Sequence, residues 1–453
     1  MKLIHIDFNN SDKIIFSSIF FISFLLFFFY VNLNAFDNFW DEKNYLYNSQ
    51  KILDNGLFGY ESEFRPYLYP AIIASLKIIS NDDIVTTKII ISVLQYAVYL
   101  GSVIFIANSA VWKNNNKIIW HSVIALGFLN PFLIQATTLF LTDLLASCFI
   151  VVSIFSLIRL DLNRSKFVLF AIGLFYAAVM LRPSSVILLP MVVGIILFRF
   201  LKHKNINFLK ISLISLVLLI IIMPQLYQNV TKQGEWTPFV TAPLLEMALS
   251  GATIHMKMVT IVVPGEEAHM HYYPPFQTGD RIANIYLVLL ENPSKFLFLY
   301  SSHIFAAFDW DYVDTFIKEY HPLNRIPSSL LIYSTWFFAI CGFFATRKNF
   351  FTANRFLLTT IIISAILLLV FIATISPEVR YTYPIFLLLL PFSGYGIKYI
   401  FDSTIHYNKT SKLWIKRIAF ITVYLLFIST FFYISFLFSS QTDRIDWFGF
   451  FNL

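Results

Sequence analysis

Long apolar runs, separated by short polar stretches, recur from one end of the chain to the other. A helix crosses the hydrocarbon core of a bilayer in about 20 apolar residues. By that measure the runs at 14–33, 84–112, 118–136, 139–160, 167–182, 184–201, 211–226, 328–346, 355–374, 384–401 and 416–438 predict eleven transmembrane helices. Uncertainty in the run ends widens the count to about 10–13. The first run, Ile14 to Val31, is longer than the roughly 7–15 apolar residues of a cleaved signal, so it reads as a retained anchor. Two further stretches, 67–80 and 295–308, are too short to cross and read as helices lying along the membrane surface. The predicted fold class is an all-α polytopic membrane protein, with 1–453 as a single membrane domain. Two outer segments stand out: 34–83, a first loop with one surface helix, and 227–327, a large loop with surface helices.

Composition agrees with this and excludes other classes. The chain has 453 residues, 58% hydrophobic and 13% charged, where soluble domains run near 25% charged. A soluble enzyme, a disordered protein and a nucleic-acid-binding domain are thereby excluded. Cys148 and Cys341 both sit in apolar runs and offer neither a disulfide framework nor metal-ligand spacing.

Charge then sets orientation. Lys and Arg stay on the cytoplasmic side of short loops. The N-terminus and the loops 113–117, 159–166, 199–210, 347–355 and 398–417 hold 19 of the 33 Lys and Arg but only 4 of the 26 Asp and Glu. With these inside, the interior carries +15 and the exterior −8, so the net +7 reports topology. The excess of Phe, Ile, Asn and Lys suggests an AT-rich host. A bacterial inner membrane is expected, with the N-terminus cytoplasmic and the working face periplasmic or extracellular.

The outer segments hold most of the carboxylates and histidines. Asp41-Glu42 follows the first span directly. It is either a solvated loop start or a general base at the interface, where partial burial tunes a carboxylate. Arg65-Pro66-Tyr67-Leu68-Tyr69-Pro70 reads as a turn into the surface helix. Asn130-Pro131, Thr142-Asp143, Arg182-Pro183 and Pro377-Glu378-Val379-Arg380-Tyr381 interrupt apolar runs on the same outer side. Each alone reads as a cap or hairpin device. An Arg at the hydrocarbon edge needs a partner, and a lipid phosphate is a natural one. Glu266, His269 and His271 are weak candidates for a divalent metal, their spacing matching no specific motif. Asp309, Asp311 and Asp314 around Trp310 read as a sugar-binding rim or an ordinary wet loop.

In order and spacing these residues resemble the GT-C glycosyltransferases, and within them the protein O-mannosyltransferase and aminoarabinose transferase branch. The resemblance rests on Asp41-Glu42-x-x-Tyr45, Tyr67-Leu68-Tyr69-Pro70, Asn130-Pro131, Thr142-Asp143, Leu181-Arg182-Pro183, Glu291-Asn292-Pro293 and Arg380-Tyr381-x-x-Pro384, and covers most of 14–400. Tyr67 departs from it, since the family pattern usually has a second proline there, and the large C-terminal soluble domain of some relatives is missing.

The resemblance implies an inverting transfer of a sugar from a polyprenyl-phosphate carrier to a glycan, lipid or protein acceptor, with membrane lipids as surroundings and no nucleic acid partner. It implies Asp41 as the base or as the carboxylate that orients the acceptor, with Glu42 second. Arg380, then Arg182, then Arg65 and His303 would bind the donor phosphate. Tyr45, Asp143, Glu378 and Tyr381 would hold sugar or acceptor. The resemblance points to no particular cofactor, and a divalent metal is possible but not favoured. A lipid-linked saccharide flippase and an O-antigen-polymerase-type enzyme are the alternatives. A transporter would often show repeats and mid-membrane charges, whereas the polar groups here crowd the outer edge.

Overall fold

The computed structural model describes residues 9–36, 38, 40–111, 116–202, 208–263, 266–276, 285–310, 322–347, 355–375, 377–405, 412–439 and 442–443. Among these the protein is overwhelmingly helical. The helices run α1 Asn10–Asn34, α2 Trp40–Asn55, α3 Leu68–Ile79, α4 Ile84–Ala110, α5 Lys117–Phe128, α6 Pro131–Ala136, α7 Asp143–Arg159, α8 Ser165–Leu181 and α9 Leu189–Lys202. They continue as α10 Phe208–Leu218, α11 Met223–Gln228, α12 Leu244–Gly251, α13 Ile285–Glu291, α14 Pro293–Phe308, α15 Pro322–Thr346, α16 Arg355–Ala373, α17 Tyr383–Ile405 and α18 Lys412–Ser439. Strands β1 Lys257–Val263, β2 Glu266–Tyr272 and β3 Thr442–Asp443 complete the set.

Among the described residues seven helical segments are long and apolar enough to cross a membrane: Asn10–Asn34, Ile84–Ala110, Pro183–Lys202, Ile326–Thr346, Phe356–Ala373, Val379–Ser403 and Arg417–Phe438. An eighth arises if Leu209–Ile221 and Met223–Gln233, bent by 52°, form one broken span. The expected runs at 139–160 and 167–182 appear as α7 and α8, each 17 residues long. The run at 118–136 is broken. α5 ends at Phe128, Asn130 caps α6 by accepting from the Leu133 N–H at 3.2 Å, and Pro131 occupies the first helical position. A proline there loses no helical hydrogen bond, but it stops α5 from continuing.

The chain divides into two compact units. The first comprises Met1–Asn115, Gly127–Ala242 and Phe350–Leu367. Its centre is α7, almost wholly buried. A helix apolar on every side is one enclosed by others, here by α4 and α8. In the same unit α2 packs on α3 and α3 on α4. The segment 34–83 therefore holds two helices, one more than expected. α2 begins with Asp41 and Glu42, which favour a helix N-terminus. It ends at Gly56, whose φ of +75° suits glycine and whose N–H donates to Ile52 O.

The second unit comprises Asn116–Leu126, Pro243–Asn349 and Leu368–Leu453. Here α15 and α17 approach so closely that a Cβ on Gly342 would collide with the Phe392 carbonyl, and one on Gly396 with the Phe338 carbonyl. Fully buried Trp310 sits among Trp336, Tyr383 and Phe386. An antiparallel hairpin departs from the all-helical expectation: β1 pairs with β2 from Lys257 opposite Tyr272 to Val263 opposite Glu266, and β3 adds to β2. The β1 sequence, Lys-Met-Val-Thr-Ile-Val-Val, is rich in β-branched residues, which suit a pleated surface.

Candidate active site

In the first unit the polar residues gather around an irregular stretch, 137–142, between α6 and α7. Backbone without helical hydrogen bonds, in apolar surroundings, must be satisfied by side chains. Gln95 on α4 donates to the carbonyls of Thr137 and Leu139 at 3.0 and 2.9 Å. Asn34, at the end of α1, donates to Thr138 Oγ1 at 2.8 Å. Glu42 Oε1 accepts from the Phe140 N–H at 2.7 Å. The Tyr45 hydroxyl meets Thr142 Oγ1 at 3.2 Å. One helical turn of α2 thus presents both Glu42 and Tyr45 to this stretch, as their i,i+3 spacing allows.

Three ion pairs lie on this framework. Asp41 Oδ1 is 2.5 Å from Arg65 Nη2, with side chains 15% and 25% exposed. Glu42 Oε1 is 2.9 Å from Lys88 Nζ, and these are 0% and 1% exposed. Asp143 pairs with Arg182, which also donates from Nε to Ser184 Oγ at 3.1 Å. Arg65 additionally lies over the Tyr45 ring, 5.1 Å from its centroid. A continuous chain of contacts therefore runs from Asp41 through Arg65, Tyr45 and Thr142 to the neighbouring Asp143 and Arg182.

The turn carrying Arg65 is fixed from several sides. The Tyr60 hydroxyl donates to Arg65 O at 2.8 Å, and burial pushes the Tyr60 pKa up. The Tyr67 N–H donates to Gln225 Oε1 at 3.0 Å and its hydroxyl to Ile221 O at 2.5 Å, burial pushing this phenol up to about 12. Gln225 in turn donates to Asn229, which donates to the carbonyls of Thr237 and Phe239.

The second unit holds the remaining expected residues. Glu378 binds Arg380 Nε at 2.5 Å and accepts from the Tyr381 hydroxyl at 3.3 Å, all three within or beside one short 3₁₀ turn. His303 is fully buried. Its two ring nitrogens lie 2.7 Å from the carbonyl oxygens of Ala373 and His255. Burial pulls its pKa below 6.5 while those carbonyls pull the other way. With both nitrogens engaged by backbone, this geometry leaves His303 none for a phosphate.

Asp309 and Trp310 form no sugar-binding rim. Asp309 is buried, accepting from Lys257 at 3.0 Å and from the Tyr333 hydroxyl at 2.6 Å. Trp310 is fully buried and donates to Thr382 Oγ1 at 2.9 Å. Asp311 and Asp314 fall outside the described residues. The His271 ring stacks on that of His255 with centroids 4.5 Å apart. Glu266 and His269 belong to β2, but their side chains lie outside the described residues. Among the described residues no group of three or more His, Cys, Asp or Glu is placed to hold a metal ion.

Lys88, Gln95 and the Lys257–Asp309 pair escaped the sequence reading. The signal for the first two was available: a charge or amide inside an apolar span is costly unless partnered, and both lie within Ile84–Ala110. No family model matches this chain, and neither a curated protein nor a solved structure does.

Proposed function

We propose that this chain is an integral-membrane, inverting glycosyltransferase of the GT-C kind, moving a sugar from a polyprenyl-phosphate carrier to an acceptor on the outer face. In this reading the helices of 17 residues or fewer that match apolar runs also cross, giving eleven spans. The membrane is a bacterial inner membrane, with the basic loops in the cytoplasm.

The observation that carries the reading is the contact chain of the first unit. It sets a carboxylate, Asp41, beside a guanidinium, Arg65, and ties both through Tyr45 and Thr142 to Asp143 and Arg182. Asp41 takes the proton from an acceptor hydroxyl or amine. The acceptor oxygen or nitrogen bonds to the anomeric carbon as the bond from that carbon to the phosphate oxygen breaks. Polyprenyl phosphate leaves with the electron pair, and a guanidinium stabilises the charge it gains. Phosphate is a good leaving group, so no protein acid is required. Glu42 is too buried and too fully engaged with Lys88 and the Phe140 N–H to act as the base. Its part is to hold α2.

The test compares lipid-linked and surface glycans in cells with the gene, without it, and with Asp41→Asn. Loss of the gene should remove a surface sugar and accumulate its lipid-linked precursor. Asp41→Asn should reproduce that loss while inserting normally, with transfer slowed on the order of a hundred- to ten-thousand-fold. Full complementation by Asp41→Asn would remove Asp41 from the chemistry.

A further inference from the structure

Three cations on this framework, Arg65, Lys88 and Arg182, each face a carboxylate. A phosphate group arriving there meets balanced charge, so it has to draw a cation away from its carboxylate. Burial decides which pair yields. Opening Glu42–Lys88, at 0% and 1% exposure, would strand a charge in the interior. Asp143 is only 6% exposed. Asp41–Arg65, at 15% and 25%, is the pair a solvent-borne or interfacial anion reaches most readily.

Arg65 is also the cation best supported for a change of partner. Its backbone is anchored by Tyr60 and by Ser62, whose Oγ accepts from the Arg65 N–H at 3.1 Å. Its guanidinium keeps the Tyr45 face when the carboxylate departs. The planar fork matches two phosphate oxygens.

We propose that the Asp41–Arg65 pair is a latch opened by a phosphate group. The phosphate takes the guanidinium, and Asp41 is released toward a hydroxyl or amine. The latch deepens the transfer reading and rests on it for the lipid source of the phosphate. It also imposes an order: the phosphate-bearing donor binds first, because until then the carboxylate is occupied.

The experiment measures equilibrium binding to the full chain in lipid nanodiscs, using undecaprenyl monophosphate, undecaprenol and inorganic phosphate as probes. Removing the competing carboxylate by Asp41→Asn should tighten undecaprenyl monophosphate binding by about tenfold, the gain expected when the closed pair holds roughly nine-tenths of the population. Asp41→Ala should show the same gain, which guards against a folding defect peculiar to one variant. Arg65→Gln should weaken binding by a similar factor, and Arg65→Lys by less. Asp41→Asn/Arg65→Gln should match Arg65→Gln alone, and undecaprenol should not respond to Asp41→Asn. Unchanged or weaker binding in both Asp41 variants overturns the latch, as does failure of both phosphate probes to bind wild type and Asp41→Asn. A gain confined to inorganic phosphate keeps the latch and removes the lipid donor.

Discussion

Glu42 and Lys88 show how little a single residue type says before its partner is known. In sequence, Glu42 is one of two acids beside a membrane, and Lys88 a stray charge near the start of an apolar run. In the structure they form a buried pair that also satisfies the Phe140 N–H. Removing one member of such a pair costs about 3–5 kcal/mol, whereas replacing both can be nearly neutral. Lys88→Met alone should therefore destabilise strongly. Glu42→Gln/Lys88→Met should recover most of the loss, because glutamine keeps an acceptor for the Phe140 N–H. Thermal unfolding of the purified variants checks this, and a double variant no better than Lys88→Met would refute the pairing argument. Asp41, one position earlier, was legible as a candidate base from its place after the first span. Its engagement with Arg65, 24 residues away, was not, since no local spacing encodes that contact.

Most helices were legible because about 20 apolar residues in a row have few other fates. Those that escaped did so for local reasons. α2 is polar along much of its length, and its signal lay in the acids of its first turn and in Gly56 after its end. The hairpin β1–β2 was read as part of a helical outer loop, although its β-branched run was visible. Close helix contact is written into sequence only as small residues such as glycine, and glycine has many uses. Gly342 and Gly396 separate into contact residues once α15 and α17 are seen together. Gly342→Ala should cost about 1–3 kcal/mol, as overpacking does. Gly194→Ala, with open space around its Cβ, should be neutral or slightly stabilising, since alanine favours helix. Equal melting temperatures for the two variants would contradict the close approach of α15 and α17.

At the scale of the molecule, charge asymmetry carries the orientation. The basic loops are inside in the proposed topology, so Asn116→Cys, beside Lys117, should resist a membrane-impermeant maleimide added to intact cells. Trp236→Cys should react, position 236 being 83% exposed in the outer segment. Both are made in a background lacking Cys148 and Cys341, and the opposite labelling pattern would invert the topology. A sidedness can be proposed from the sequence because it depends only on counting charges along the chain. The hydrogen-bonding of 137–142 is not legible in this way, because the side chains that reach it from other helices lie 42 to 104 positions away.

Those distant partners share one further property. Asn34, Glu42, Tyr45 and Gln95 all precede 137–142 in the chain. A segment that cannot satisfy its own backbone is a hazard while a membrane protein is being made, for it would otherwise meet lipid bare. Here every side chain of that set has already been synthesised when Thr137 is added. The stretch can therefore be sheltered as it emerges, without waiting for helices still to be synthesised. The direction of translation suits the direction in which these hydrogen bonds reach back.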